Sequence, residues 1–142
     1  VEDAGKYCEQ VKLNICHYFT VDNLKFLARS GRVKMTTAVI GNILQLKPVL
    51  KVDDTGTMVL CKKVLGRKKA IKDICDYVKS NYMPLSKHMV IIEADCENDA
   101  EELKTLIKQS LDVDISIVPL NAVVASHGGP GSLAVFFTTK QR

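Results

Sequence analysis

The residues His88-Met89-Val90-Ile91-Ile92-Glu93-Ala94 form an apolar run typical of a buried strand. Upstream, residues 67–82 carry apolar side chains at helical spacing with the lysines elsewhere, which predicts an amphipathic helix that packs on a sheet. Downstream, Asn98 with Glu101 three residues later has the pattern of a capping box and predicts the start of another helix. A buried strand between two such helices favours a sheet covered by helices.

Further helices and strands are predicted on both sides of this unit. The helices are a weakly patterned segment over residues 4–13, a compact helix between an N-cap at Asp22 and a left-handed residue at Gly31, and an apolar helix over residues 36–46 that Pro48 ends. The strands lie over residues 16–20, 48–52, 58–64, 115–119, 123–126 and 133–138, with hairpin-turn chemistry over 53–57. We therefore predict a single α/β domain over residues 1–142, a mixed β-sheet with packed helices.

Composition restricts the class of protein. Of the 142 residues, 46% are hydrophobic and 25% are charged, which is typical of a folded globular domain. The net charge of +4 comes from interspersed basic and acidic residues and gives little support to nucleic acid binding. No apolar run reaches the roughly 20 residues of a membrane span. The N-terminus lacks signal-peptide features, and because the chain begins at Val1 without an initiator Met, we expect a piece of a longer protein. Five cysteines without close pairs fit a reducing cytoplasm.

The segment Ser126-His127-Gly128-Gly129-Pro130-Gly131 has the chemistry of an anion site. Glycines let main-chain N–H groups approach a ligand closely, and an imidazole can donate a hydrogen bond to a carboxylate. The same residues equally suit a plain tight connection between two strands. The segment lacks the Gly-Lys-Ser/Thr of a P-loop, and no nucleophile elbow is present. His17 and His88 are interpreted as ordinary structural or surface histidines, and no two histidines have the spacing of metal ligands.

Two basic clusters lie at predicted helix ends. Arg29 and Arg32 lie at a helix C-terminus, where cations suit the helix dipole. The Arg-Lys-Lys run over residues 67–69 lies at a helix N-terminus, where the same dipole disfavours it. This placement favours an acidic partner or an anion, with a solvated surface as the equal alternative.

Four stretches resemble, in the same order, motifs of the DegV family of bacterial fatty-acid-binding proteins. They are residues 19–33, residues 40–50, Gly66-Arg67-Lys68-Lys69-Ala70, and the segment from Ser126 to Gly131. The resemblance covers nearly the whole chain, but only the C-terminal half of the two-domain family protein. Ser30 stands where the family usually has a glycine, and Leu65 stands where many relatives carry an arginine, a change that weakens the inference of kinase docking.

The resemblance implies a non-catalytic, cytoplasmic bacterial carrier that holds a long-chain fatty acid in a tunnel between domains and presents it to a fatty acid kinase. It places the carboxylate beside His127, with Ser126, Gly128, Gly129 and Gly131 around it, and implies no metal and no cofactor beyond the bound lipid. It also implies kinase contacts through Arg32 and Arg67. On the apolar helix, Ile40, Ile43 and Leu44 are candidates for the tunnel lining, with an ordinary core role as the alternative.

Two other functions remain open at this point. The DegV fold is similar to that of dihydroxyacetone kinase subunits, so His127 could act as a phosphotransfer nucleophile, although the sequence offers no acidic magnesium cluster beside a glycine-rich phosphate loop. A lipid-sensing regulatory module is the third option. Without the N-terminal domain the tunnel face would be uncovered, so we expect the isolated fragment to self-associate or to bind ligand weakly.

Overall fold

A computed structural model describes residues 2–33 and 46–140. The helices are α1 (Glu2–Val11), α2 (Leu24–Arg29), α3 (Arg67–Asn81), α4 (Glu97–Lys108) and α5 (Ala122–Gly128). The strands are β1 (Ile15–Thr20), β2 (Leu46–Val52), β3 (Met58–Leu65), β4 (His88–Ala94), β5 (Asp114–Pro119) and β6 (Ser132–Thr138). In the described residues the strands form one six-stranded sheet in the order β3-β2-β1-β6-β4-β5. Only its β4–β5 pair is parallel, which confirms a mixed α/β sheet.

One face of this sheet is covered by α3 and α4. Alternate residues of a strand point to opposite faces, and in β1 the residues Cys16, Tyr18 and Thr20 are buried beneath the helices. The helices contribute apolar residues at helical spacing, which form the main core with the strands: Ala70, Ile71, Ile74, Cys75 and Val78 from α3, and Ala100, Leu103 and Ile107 from α4. The predicted amphipathic helix before β4 is therefore confirmed, with its end at Asn81.

The opposite face of the sheet is only half covered. The alternate residues of β1 are Ile15, His17 and Phe19, and each keeps partial exposure. A smaller apolar cluster, with Val21, Leu24 and Leu27, holds α2 against one end of this face. The half-covered face, called here the open face, carries the cavities described below. No helix among residues 2–33 and 46–140 is long and apolar enough to span a membrane.

The strand predicted over residues 123–126 is wrong, because these residues lie in α5. The side-chain oxygen of Asn121 accepts the N–H of Val123 at 2.9 Å and caps the helix. At the other end Gly129 has a φ of 79°, and its N–H donates to the Ala125 carbonyl at 2.7 Å. These end contacts overcome the strand preference of two adjacent valines. The glycine-rich segment therefore connects a helix to β6 instead of joining two strands.

Three other predicted boundaries also differ. Asn23 caps α2 in place of Asp22, and its side chain accepts the N–H of Lys25. The α4 helix begins at Glu97 with Cys96 at the N-cap, so Asn98 lies inside the helix instead of capping it. Leu46, predicted to end a helix, starts β2. The rest of that predicted helix lies outside the described residues.

Candidate functional site

A cavity of about 300 Å³ lies on the open face, between the sheet and the two short helices α2 and α5. His127, in the last turn of α5, is half-buried and lines it beside Gly128. The remaining lining is mainly apolar: Phe19, Val21, Leu27, Val52, Met58, Ile92, Leu120, Val124, Leu133, Ala134 and Phe136, together with His17 and Ser132. The site therefore combines an apolar pocket with an imidazole on its wall.

Glycines fix the connection that follows His127. A Cβ atom on Gly129 would lie 2.5 Å from the Phe26 ring, and one on Gly131 would lie 2.6 Å from the Asp22 carboxyl carbon. Both residues have positive φ, which most side chains disfavour. The N–H of Gly129 donates to the Ala125 carbonyl, and that of Gly131 donates to the Ala94 carbonyl at 2.7 Å. These two glycines hold the loop against α2 and β4, so their N–H groups are already engaged within the protein.

Ser126 and His127 are placed differently although they are adjacent in sequence. The Ser126 side chain is exposed and its hydroxyl donates to the Val123 carbonyl of its own helix at 2.7 Å. Ser126 does not belong to the cavity lining, whereas His127 and Gly128 do. Of the five residues predicted around a carboxylate, the structure thus brings His127 and Gly128 to the cavity wall.

Cys96 and Ser132 hold the start of β6 beneath the loop. The Cys96 thiol donates to the Ser132 carbonyl at 3.3 Å, and the Ser132 hydroxyl donates to the Gly129 carbonyl at 2.7 Å. Burial raises the pKa of the Cys96 thiol, which favours the neutral form that donates this bond. The cavity floor and the His127 loop are therefore joined by consecutive hydrogen bonds.

His17 was missed as a site residue by the sequence interpretation. It lines the same cavity as His127, and its ring lies 4.4 Å from the ring of Phe136, centroid to centroid. The sequence did contain a signal for this placement. His17 alternates with Cys16 and Tyr18 along β1, so its side chain points away from the helix-covered core. What the sequence could not indicate was that this second face carries a cavity.

A second cavity of about 330 Å³ lies further along the open face. Its lining is Tyr7, Val11, Asn14, Ile15, Leu85, Ser86, His88, Val90, Phe136, Phe137 and Thr138. Phe136 lines both cavities, so the two adjoin on either side of this residue. His88, interpreted from the sequence as an ordinary histidine, lies at this second cavity.

Arg67 is partly buried, with 18% of its side chain exposed. Its Nε donates to the Asp99 carboxylate at 2.7 Å, and Nη1 lies 3.6 Å from the Asp22 carboxylate, which also pairs with Lys47 at 2.9 Å. Both Nη atoms are buried and have no hydrogen-bond partner within the described ranges. The two carboxylates and partial burial hold this guanidinium against the fold, and its kinase contact stays a prediction.

The other predicted site residues divide into two groups. Arg32 is exposed, and its guanidinium donates to the Ser30 carbonyl, so it remains available on the surface. Ile40, Ile43 and Leu44 lie outside the described residues, and their lining role stays a prediction. Within the part of the chain that the structure describes, no three His, Cys, Asp or Glu side chains are grouped to hold a metal ion.

Comparison with known proteins gives the family. Residues 1–140 match the sequence model of the family described as "Uncharacterised protein, DegV family". The chain belongs to the DegV family. A DegV domain-containing protein of Clostridium perfringens is 39% identical over 139 residues, which cover 96% of this chain and 48% of the relative. One of Streptococcus pyogenes serotype M1 is 32% identical, over 87% of this chain and 44% of the relative. The chain spans about half the length of these curated DegV relatives.

Solved DegV structures share the same fold. A fatty acid binding DegV family protein of Streptococcus agalactiae superposes with a TM-score of 0.82 at 31% identity, over 99% of this chain and 50% of that one. A Thermotoga maritima protein, described as revealing a fatty acid binding function, gives 0.81 at 25% identity, over 98% and 48%. The fatty acid kinase B3 protein of Streptococcus pneumoniae, loaded with linoleic acid, gives 0.86 at 20% identity, over 98% and 50%, and supports the fold alone.

Proposed function

We propose that the chain is the C-terminal half of a bacterial cytoplasmic carrier of long-chain fatty acids, and that it performs no chemistry on them. The observation that carries the proposal is the apolar cavity on the open face with His127 on its wall. The DegV relatives of known structure named above, two of them described as fatty acid binding, support the same ligand class. The other half of the carrier would cover the open face.

The apolar lining would supply most of the affinity for such a ligand. Each methylene group removed from water contributes about 0.8 kcal/mol, so a long acyl tail gains far more from the walls than from any single polar contact. Phe19, Val124 and Phe136 are among the side chains that the tail would touch. This arrangement gives affinity for acyl chains in general, and the polar end of the site would set the orientation of the ligand.

His127 would hold the carboxylate, because an imidazole N–H can donate to a carboxylate oxygen. Gly128 lies beside it on the cavity wall, where a Cβ atom would lie 2.5 Å from the Ser132 hydroxyl oxygen, so the absence of a side chain lets β6 approach the loop closely. Gly129 and Gly131 would act indirectly, by fixing the loop that carries His127. Ser126 already bonds within α5, so we assign it no contact with the carboxylate.

Presentation of the carboxylate to a fatty acid kinase would complete the function of the carrier. Arg32 is the described cation that best fits a docking contact, because it is exposed at the end of α2 and Phe26 of the same helix packs against the His127 loop. A kinase bound there would lie close to the head group. Arg67, partly buried and paired with Asp99, is left out of this proposal.

Extraction of bound lipid from the full-length protein, purified from bacteria, tests the carrier. We expect about one long-chain fatty acid per protein by mass spectrometry. His127→Ala should lower fatty acid affinity by roughly ten- to a hundredfold, since a hydrogen bond to a charged group is worth about 1.5–3 kcal/mol. Ser126→Ala is the matched control, one residue away, and should bind like the wild type.

Two results would count against this function. An empty wild-type protein that acquires a phosphoryl group on His127 would favour phosphotransfer. A loaded protein in which His127→Ala and Ser126→Ala retain lipid equally would remove His127 from the head-group site, while leaving the lipid-binding function in place.

A further inference from the structure

The two cavities on the open face follow one line along the sheet. Phe136 pairs with His17 on β1 and with Val90 on β4, so these three residues form one row across three strands. His17 lines only the first cavity, Val90 lines only the second, and Phe136 lines both. The row therefore lies at the boundary between the two cavities.

The row lies at a defined distance along β6 from the loop that follows His127. Ser132, at the start of β6, donates to the Gly129 carbonyl of that loop, and Phe136 is four residues further along the same strand. At about 3.3 Å per residue this separation is roughly 13 Å. A ligand whose head group lies at His127 would thus reach the row part-way along its tail.

The second cavity suits an apolar occupant in spite of its polar residues. The Asn14 amide donates to the carbonyls of Thr139 and Lys140, and the Thr138 hydroxyl donates to the Met83 carbonyl. The Ser86 hydroxyl lies within hydrogen-bond distance of the His88 carbonyl. Because these groups are satisfied within the protein, a hydrocarbon in the cavity would not break their bonds.

We propose that the second cavity receives the distal part of the acyl chain, and that the His17–Phe136 ring pair divides the tunnel into a proximal and a distal segment. This inference rests on the proposed function and adds to it a preference for acyl-chain length. Short acyl chains end at the ring pair and use the first cavity alone. Longer chains pass the pair and gain further affinity from the second cavity, so the distal walls set the preference for chain length.

The test fills the distal segment without touching the proximal one. In the full-length protein, Val90→Phe places a second ring beside Phe136, and Ile15→Phe fills the second cavity from β1, opposite Thr138, if the first variant folds poorly. The control is Val118→Phe, because Val118 lies on the edge strand β5, is 43% exposed and lines neither cavity. Affinities for decanoate, whose extended chain is shorter than the distance to the ring pair, and for stearate, whose chain is longer, are measured by competition, and thermal unfolding confirms that each variant is folded.

We expect Val90→Phe to weaken stearate binding by roughly tenfold or more, which corresponds to two methylene groups kept out of the cavity, while decanoate binding changes by less than about twofold. Val118→Phe should leave both affinities unchanged. Equal losses of affinity for both acids, or no loss for either, would overturn the proposed distal segment without affecting the proposed carrier function. A wild type that binds neither acid would remove the proposed function and this inference together.

Discussion

Gly129 combines two constraints that can be separated by experiment. Its positive φ strains any side chain, and a Cβ atom would in addition lie 2.5 Å from the Phe26 ring. Gly56 has a similar φ of +83° but nothing within 4 Å of its Cβ position, so it shows the backbone cost alone. At the scale of single residues, therefore, Gly56 is the natural reference for Gly129.

We expect Gly56→Ala to lower the free energy of unfolding by about 1 kcal/mol and Gly129→Ala by roughly 1–3 kcal/mol more, because only the second also forces an overlap. Urea unfolding measures both. Adding Phe26→Ala should remove most of the extra cost at Gly129, since it takes away the ring. Equal losses at the two glycines would show that Phe26 gives way freely and that Gly129 does not fix the His127 loop.

At the scale of elements, α5 is the feature that local sequence patterns misassign. Val123 and Val124 favour a strand by composition, and the glycines after His127 look like a turn between strands. The long amphipathic pattern of α3 and the apolar run of β4, by contrast, predict their elements correctly because each carries many consistent residues. The seven-residue helix α5 carries few such residues, so its caps and its packing on α2 determine its conformation.

The Asn121 cap should accordingly control the site through α5. Asn121→Ala removes the acceptor for the Val123 N–H, and a lost cap costs about 1 kcal/mol, enough to open a helix this short. We expect faster hydrogen exchange in residues 122–128 and weaker fatty acid binding. Asn121→Ser, which keeps a capping oxygen, should restore both. Fast exchange with unchanged binding would mean that His127 does not need an ordered helix.

At the scale of the whole molecule, the sequence indicates the sheet and its helix-covered face but not the cavities. His127 could be selected because its chemistry stands out beside three glycines. His17, Phe136 and Val90 could not be grouped, since they come together only through the pairing of β1, β6 and β4. Strand order depends on contacts between distant segments, and one sequence shows no direct trace of it.

The open face predicts how the chain by itself should behave in solution. Large exposed apolar patches rarely persist on monomers, and here the half-covered face includes Phe19, Phe136 and Val124, the last of which is 51% exposed. We expect residues 1–142, prepared alone, to self-associate as concentration rises in sedimentation velocity experiments. Added fatty acid should be bound more weakly than by the full-length protein, because under the proposed function this chain would supply only one wall of the tunnel.

Two neighbouring valines on α5 provide a test of which surface causes this association. Val124 lines the cavity, whereas Val123 is 71% exposed and lines neither cavity. Val124→Lys places a charge on the open face, and because burying an unpaired charge is costly, it should return the isolated chain to a monomer. Val123→Lys adds the same charge elsewhere on α5 and should leave the association intact. If both variants became monomeric, net charge would explain the effect. If the wild type stayed monomeric at high concentration, the open face would not mediate self-association.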